Sequence, residues 1–159
     1  MADKVFDIAL GRSGQLARNV AAGSPTNSAL VVVLLKAQET PEDTLLSRAT
    51  LADVLSNGST EADFTNYARK TVTGGDVAVA VDNSNDWATI AIPNQLYTSA
   101  GGASNNSLVA AVICYDDDTT SGTDTNIIPI SKIDLSYTTD GTSMMLVFNS
   151  TYFHRTERG

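Results

Sequence analysis

The chain has 159 residues, of which 42% are hydrophobic and 18% charged, and a formal net charge of −8 from 10 basic and 18 acidic side chains. That length suits one domain with a real core, and the apolar share excludes a disordered chain. The acidic surplus disfavours phosphate backbones and anionic membranes, while a basic partner surface would attract it. Cys114 is the single cysteine, which rules out an internal disulfide and argues against a Cys-based zinc site. Plentiful Thr, Ser, Asn and Asp favour strands and turns over long helices.

In chain order, residues 3–22 lack a clean helical stripe, and Gly11 and Gly14 weaken a helix. Phe6, Ile8 and Leu10 alternate as a strand would, so this segment is read as extended, either an edge strand or an arm on a neighbouring subunit. Met1-Ala2-Asp3-Lys4 does not lead from a basic into an apolar region, so no signal peptide is expected. Ala29–Leu35 is the longest unbroken apolar run, too short for a bilayer and rich in Val. It predicts a central strand over 29–37, covered on both faces. Thr50–Asn57 is the one clear helix: Leu51, Val54 and Leu55 share a face, Thr50 and Asp53 fit a capping pair, and Gly58 follows as a stop.

Phe64–Val72 reads as a half-exposed strand, with Arg69 and Lys70 guarding an edge. Val77–Val81 and Trp87–Ile92 make a hairpin. Residues 101–107 read as a flexible loop, and Leu108–Tyr115 as a second buried strand that pairs with 29–35 and buries Cys114. Ile127–Ile130 begins another strand, with Pro129 at an edge or bulge. Thr139–Thr142 signals a hairpin whose returning strand is Met144–Phe148. The expected fold is therefore mainly β: one antiparallel or mixed β-sandwich-like domain spanning 1–159 with one short α-helix (about residues 50–57). An N-terminal arm (1–22) and a C-terminal tail (150–159) could extend from it.

Signals for catalysis are weak. The one histidine, His154, sits near a terminus, a poor place to hold a general base. No nucleophile-elbow or phosphate-loop pattern occurs, so no enzyme activity and no cofactor are expected. Asp116, Asp118 and Asp124 are the candidate ligands for a cation such as Ca²⁺. Their spacing does not match an EF-hand loop, adjacent side chains on an extended chain diverge, and a solvated acidic turn is the competing reading.

Several segments together are informative: Lys4–Arg12, Asn27–Leu30, Thr50–Leu55, Phe64–Lys70, Gly101–Asn106 and Cys114–Asp116. In these the chain resembles a family of small virion structural proteins encoded by tailed bacteriophages. The resemblance covers most of the chain and carries no catalytic motif; the tail from Tyr152 to Gly159 departs from it. It implies a capsid decoration (cement) protein on the outside of the assembled head, in virions put together in the host bacterial cytoplasm. A tail or baseplate component, or a host-surface binding module, is the alternative, and a small metal-dependent enzyme a third. The implied partners are the major capsid protein and further copies of the chain, as a dimer or trimer, with no nucleic acid and no membrane. For such a role the expected contacts are Phe6, Ile8 and Leu10 in the N-terminal segment, Trp87, and Tyr152, Phe153, Arg155 and Arg158 in the tail.

Overall fold

The computed structural model describes residues 3–82, 84, 87–148 and 154–157; for Asp3, Asp82, Trp87 and residues 154–157 it describes the backbone alone. The fold is mainly β, with 36% strand and 19% helix. The strands are β1 (Asp3–Val5), β2 (Ala29–Ala37), β3 (Thr60–Glu61), β4 (Lys70–Val72), β5 (Ala78–Asp82), β6 (Trp87–Ala91), β7 (Gln95–Tyr97), β8 (Ser107–Asp116), β9 (Ile128–Thr138), β10 (Met144–Leu146) and β11 (His154–Glu157). The helices are α1 (Ser13–Ala22), α2 (Glu42–Leu46) and α3 (Leu51–Ser56).

The apolar run 29–35 is the centre of the main sheet, whose order is β1-β9-β8-β2-β3, with β4 also on β2. β2 pairs antiparallel with β8 without interruption from Ala29↔Asp116 to Leu35↔Ala110. Alternate side chains go to opposite faces, as strand geometry requires. Val31, Val33 and Leu35 pack with Phe6, Leu45, Leu51 and Val54 beneath α2 and α3. Leu30, Val32 and Leu34 pack on the other side with Leu16, Ala17 and Val20 of α1, Ile90 of β6 and Tyr97 of β7. Two apolar layers cover one strand, which is why it carries no polar residue until Lys36.

The short helix is as expected: Thr50 Oγ1 accepts from the Asp53 N–H at 3.1 Å, capping α3. Pro129 faces Cys114 at a bulge between β8 and β9, and β5 and β6 form the expected hairpin. Cys114 is fully buried, and burial pushes its thiol well above the ordinary range.

Four expectations are corrected. Only Asp3–Val5 of the N-terminal segment is strand, an edge strand on β9 of its own domain. Residues 13–22 are helical because Ser13, Leu16, Ala17 and Val20, spaced i, i+3, i+4 and i+7, form one buried stripe; that burial outweighs the cost of Gly14. Phe64–Val72 is strand only at Lys70–Val72, because Asn66 turns the chain at φ 69° and buries Phe64 against the Tyr67 and Tyr97 rings. The turn at 139–142 exists but does not return to β9. Asp140 Oδ1 accepts from the Thr142 N–H and hydroxyl, while Gly141 (φ 95°) donates to the Ala100 carbonyl. The chain thereby crosses to the 95–101 segment, and β10 pairs with β7. Met144, Leu146 and Phe148 then drop into the core. The tail too is not free: backbone His154–Glu157 pairs with β6 as the third strand beside β5.

The free edge of β2 is divided between two short strands. β4 covers Leu30–Val32 and β3 meets Leu35 and Ala37. At the gap between them the Leu34 carbonyl accepts from the Ala62 N–H, and the Leu34 N–H donates to the Tyr67 hydroxyl at 3.1 Å. Tyr67 and Tyr97 stack at 6.3 Å, yet the Tyr97 hydroxyl is buried with no hydrogen-bond partner among the described residues. Two substitutions that each remove one oxygen should therefore separate. Tyr67→Phe strands a buried strand N–H and should cost about 2 kcal/mol, or about 6 °C in Tm for a chain this size. Tyr97→Phe should leave Tm unchanged or raise it, measured side by side by calorimetry.

Candidate functional site

The three candidate cation ligands lie on the loop between β8 and β9, and the loop consumes them. Asp116 is 5% exposed and accepts from the Asp118 N–H at 3.1 Å. Asp118 accepts from the Ser121 hydroxyl at 2.5 Å, and from the Thr120 hydroxyl and N–H at 2.6 and 3.0 Å. These donors, Ser121 first, hold the Asp118 carboxyl down at about 2. Asp124 accepts from Arg69 through both of its oxygens, at 2.5 and 2.9 Å. Among the described residues no group of three or more His, Cys, Asp or Glu side chains is placed to hold a metal ion. The loop backbone also supports the core: its Asp124 and Ile127 carbonyls accept from Ala52 and Leu51, the first N–H groups of α3.

Arg69 is the organising cation of this region. Its guanidinium makes paired hydrogen bonds to Glu61 at 2.7 and 2.8 Å as well as to Asp124. Glu61 also accepts from the Tyr67 hydroxyl at 2.8 Å. One chain of contacts thus runs from the Leu34 N–H through Tyr67, Glu61 and Arg69 to the acidic loop. Planar paired contacts of this kind need Arg and would not survive Lys. The carboxylates raise the Arg69 pKa, and Arg69 holds Asp124 below the ordinary carboxylate range. The expected edge-guarding role of Arg69 is replaced by this clamp. Lys70 beside it sits 4.8 Å from the Tyr97 ring centroid.

A second cluster is formed by Lys132, whose side chain is fully buried in β9. It pairs with Glu42 at the start of α2 and with Asp134, and it donates to Gln38 Oε1 at 3.1 Å. Lys4 on β1 also pairs with Glu42. The two lysines, Lys132 first, hold the Glu42 carboxyl below its ordinary value. The cluster pins α2 to the edge of the sheet. A buried lysine requires such company, since a lone buried ammonium is strongly unfavourable.

The expected contact residues divide. Phe6 is fully buried under α2 and α3 and donates its N–H to the Ile130 carbonyl, so it is core. Ile8 is half-buried against the same cluster, whereas Leu10 is 62% exposed. Trp87 and Arg155 are placed by backbone alone, on β6 and β11, facing Glu157 and Thr89 respectively. Tyr152, Phe153 and Arg158 lie outside the described residues. The 101–107 segment, expected to be flexible, is tightly braced. The Gly101 N–H donates to the Thr65 carbonyl and the Thr65 N–H to the Ser104 carbonyl. Asn106 exchanges hydrogen bonds with Asp63. A Cβ at Gly101 would lie 2.1 Å from Asn105 Oδ1, so only glycine fits. Sequence reading also missed an outward apolar face at Leu96, Met145 and Val147, which are 44%, 49% and 57% exposed. Its signal was the alternation in 143–148 within a stretch devoid of charge.

Comparison with protein-family models, with curated proteins and with solved structures finds no match to this chain. Among the described residues no helix is long and apolar enough to cross a membrane.

The clamp is directly testable. Arg69→Met removes a half-buried cation shared by two carboxylates and should destabilise by about 2 kcal/mol, below the range for fully buried pairs. Urea unfolding should show a lower midpoint with an unchanged slope. The pH profile should respond as well. Asp118 and Asp124 are depressed below the ordinary 3.8, so their stabilisation is present above that value and is lost as pH falls through their folded values. Tm should be level from about pH 8 to about pH 5 and fall below about pH 4. In Arg69→Met that acid fall should be shallower, because Asp124 then titrates as it does in the unfolded chain.

Proposed function

We propose that the chain is a structural component of a tailed-bacteriophage particle, a decoration protein that binds the outside of the assembled head and stabilises it. Supporting this reading, the carboxylates raised as candidate cation ligands are spent on bracing, as are other polar side chains. Asp116, Asp118 and Asp124 lock one long loop, and Asn106 and Asp63 lock another. A strand sandwiched between two cores, with its loops tied back to it, is a rigid body suited to carrying load. The resemblance in Lys4–Arg12, Phe64–Lys70 and Cys114–Asp116 points to the same class of protein.

The charge fits that work. A net charge of −8 keeps the free protein off nucleic acid and directs it to a basic surface. A cement protein gains from repetition, because a ligand that binds only the assembled shell stabilises it by mass action at every site.

Copy number tests the reading. In purified particles of a phage that encodes this chain, quantitative mass spectrometry should find it at near one-to-one with the major capsid protein, or at a simple fraction of that. A few copies per particle would transfer it to the tail or baseplate, and absence from particles would overturn a virion role.

A further inference from the structure

β7 and β10 form a two-stranded ribbon separate from the other two sheets. Its inner face, Tyr97, Met144, Leu146 and Phe148, belongs to the core. Its outer face presents Leu96 and Met145, which are direct cross-strand partners, with Val147 two residues along the same side. These are three of the five large hydrophobic side chains most exposed among the described residues, and they are adjacent.

The surroundings of this face are unusual for so acidic a protein. No Asp, Glu, Lys, Arg or His occurs from Trp87 to Tyr115, nor from Gly141 to Phe153. Hydrogen bonds join 94–100 to 142–148: Ala100 N–H to the Thr142 carbonyl, Ser99 N–H to Ser143 Oγ, and Phe148 N–H to Asn94 Oδ1. Around the apolar centre lie exposed, uncharged Pro93, Asn94, Thr98, Thr142 and Ser143. An apolar centre depleted of charge within a polar rim is the composition of an interface core. The ribbon also lacks the usual protection of a sheet edge, since neither β7 nor β10 carries a lysine, a glutamate or a proline.

We propose that this face, with its uncharged centre of Leu96, Met145 and Val147, is the surface through which the chain associates with a second copy of itself. Charge selects that occupant. A second copy carries the same −8, so contacts between acidic faces oppose like charges, whereas this face has an uncharged centre and brings only the Asp140 carboxylate, held by Thr142, to its rim. A basic partner would be drawn to the acidic faces instead and would find no counter-charge at this centre. A two-fold contact is also self-complementary, placing the same three side chains against themselves. The inference stands whether or not the chain coats a shell.

Sedimentation velocity on the full chain, from about 10 µM to about 1 mM, spans the range in which an interface of modest size assembles. The mass should rise with concentration from the 16.7 kDa monomer to at least a dimer. Association should hold or strengthen as NaCl is raised, because salt screens the mutual repulsion of the two copies. The double variant Met145→Glu with Val147→Glu, which sets like charges against each other across the two-fold, should stay monomeric at every concentration with an unchanged melting temperature. If that variant fails to fold, Thr98→Arg on the same face takes its place. Val81→Lys, an equally exposed apolar site on β5, should associate as the parent does. A parent chain that is monomeric throughout, a face variant that still associates, or association abolished by salt or by Val81→Lys would overturn the proposal.

Discussion

The second edge of β2 is the constraint on which the rest of the fold turns. A strand buried on both faces must have all its backbone groups paired, since each unpaired buried group costs as much as a lost hydrogen bond. β8 satisfies one edge in unbroken register. The other is covered by two strands of two and three residues, which leaves Leu34 between them. The Tyr67 hydroxyl closes that gap, and Glu61, Arg69 and Asp124 hold Tyr67 in place. The loop that ends at Asp124 also supplies acceptors for the first N–H groups of α3, so the second core is roofed through the same connection.

This arrangement gives the carboxylates of the acidic loop work within the fold. Carboxylates can bind a cation only when their oxygens converge and are free. Here one is paired with a guanidinium and the other two accept from their own loop. The same thrift holds at Lys132, whose buried charge is neutralised by Glu42 and Asp134 and thereby anchors α2. The charges of Arg69 and Lys132 are thus structural.

The molecule therefore offers two kinds of surface. Most of it is acidic and suited to a basic partner. The β7–β10 ribbon instead turns the apolar Leu96, Met145 and Val147 outward.

Much of the fold was legible in the residues themselves. The Val-rich run 29–35 determined a doubly covered strand, and 108–115, equally apolar, could serve as its partner. Thr50, Asp53 and Gly58 determined the short helix, because capping is local chemistry. Pro129 marked a bulge, since proline cannot donate to a ladder. Tertiary structure alone decided the rest. Residues 13–22 are helical because a core waits for Leu16, Ala17 and Val20, which outweighs the glycines that argue locally against a helix. The turn at Asp140 was visible, but the strand it serves was not: a turn sets direction, and burial of Met144, Leu146 and Phe148 chose β7. Phe6 became core and Leu96, Met145 and Val147 became surface for the same reason. An apolar residue in a short strand has two faces open to it, and only the packed molecule determines which one meets water.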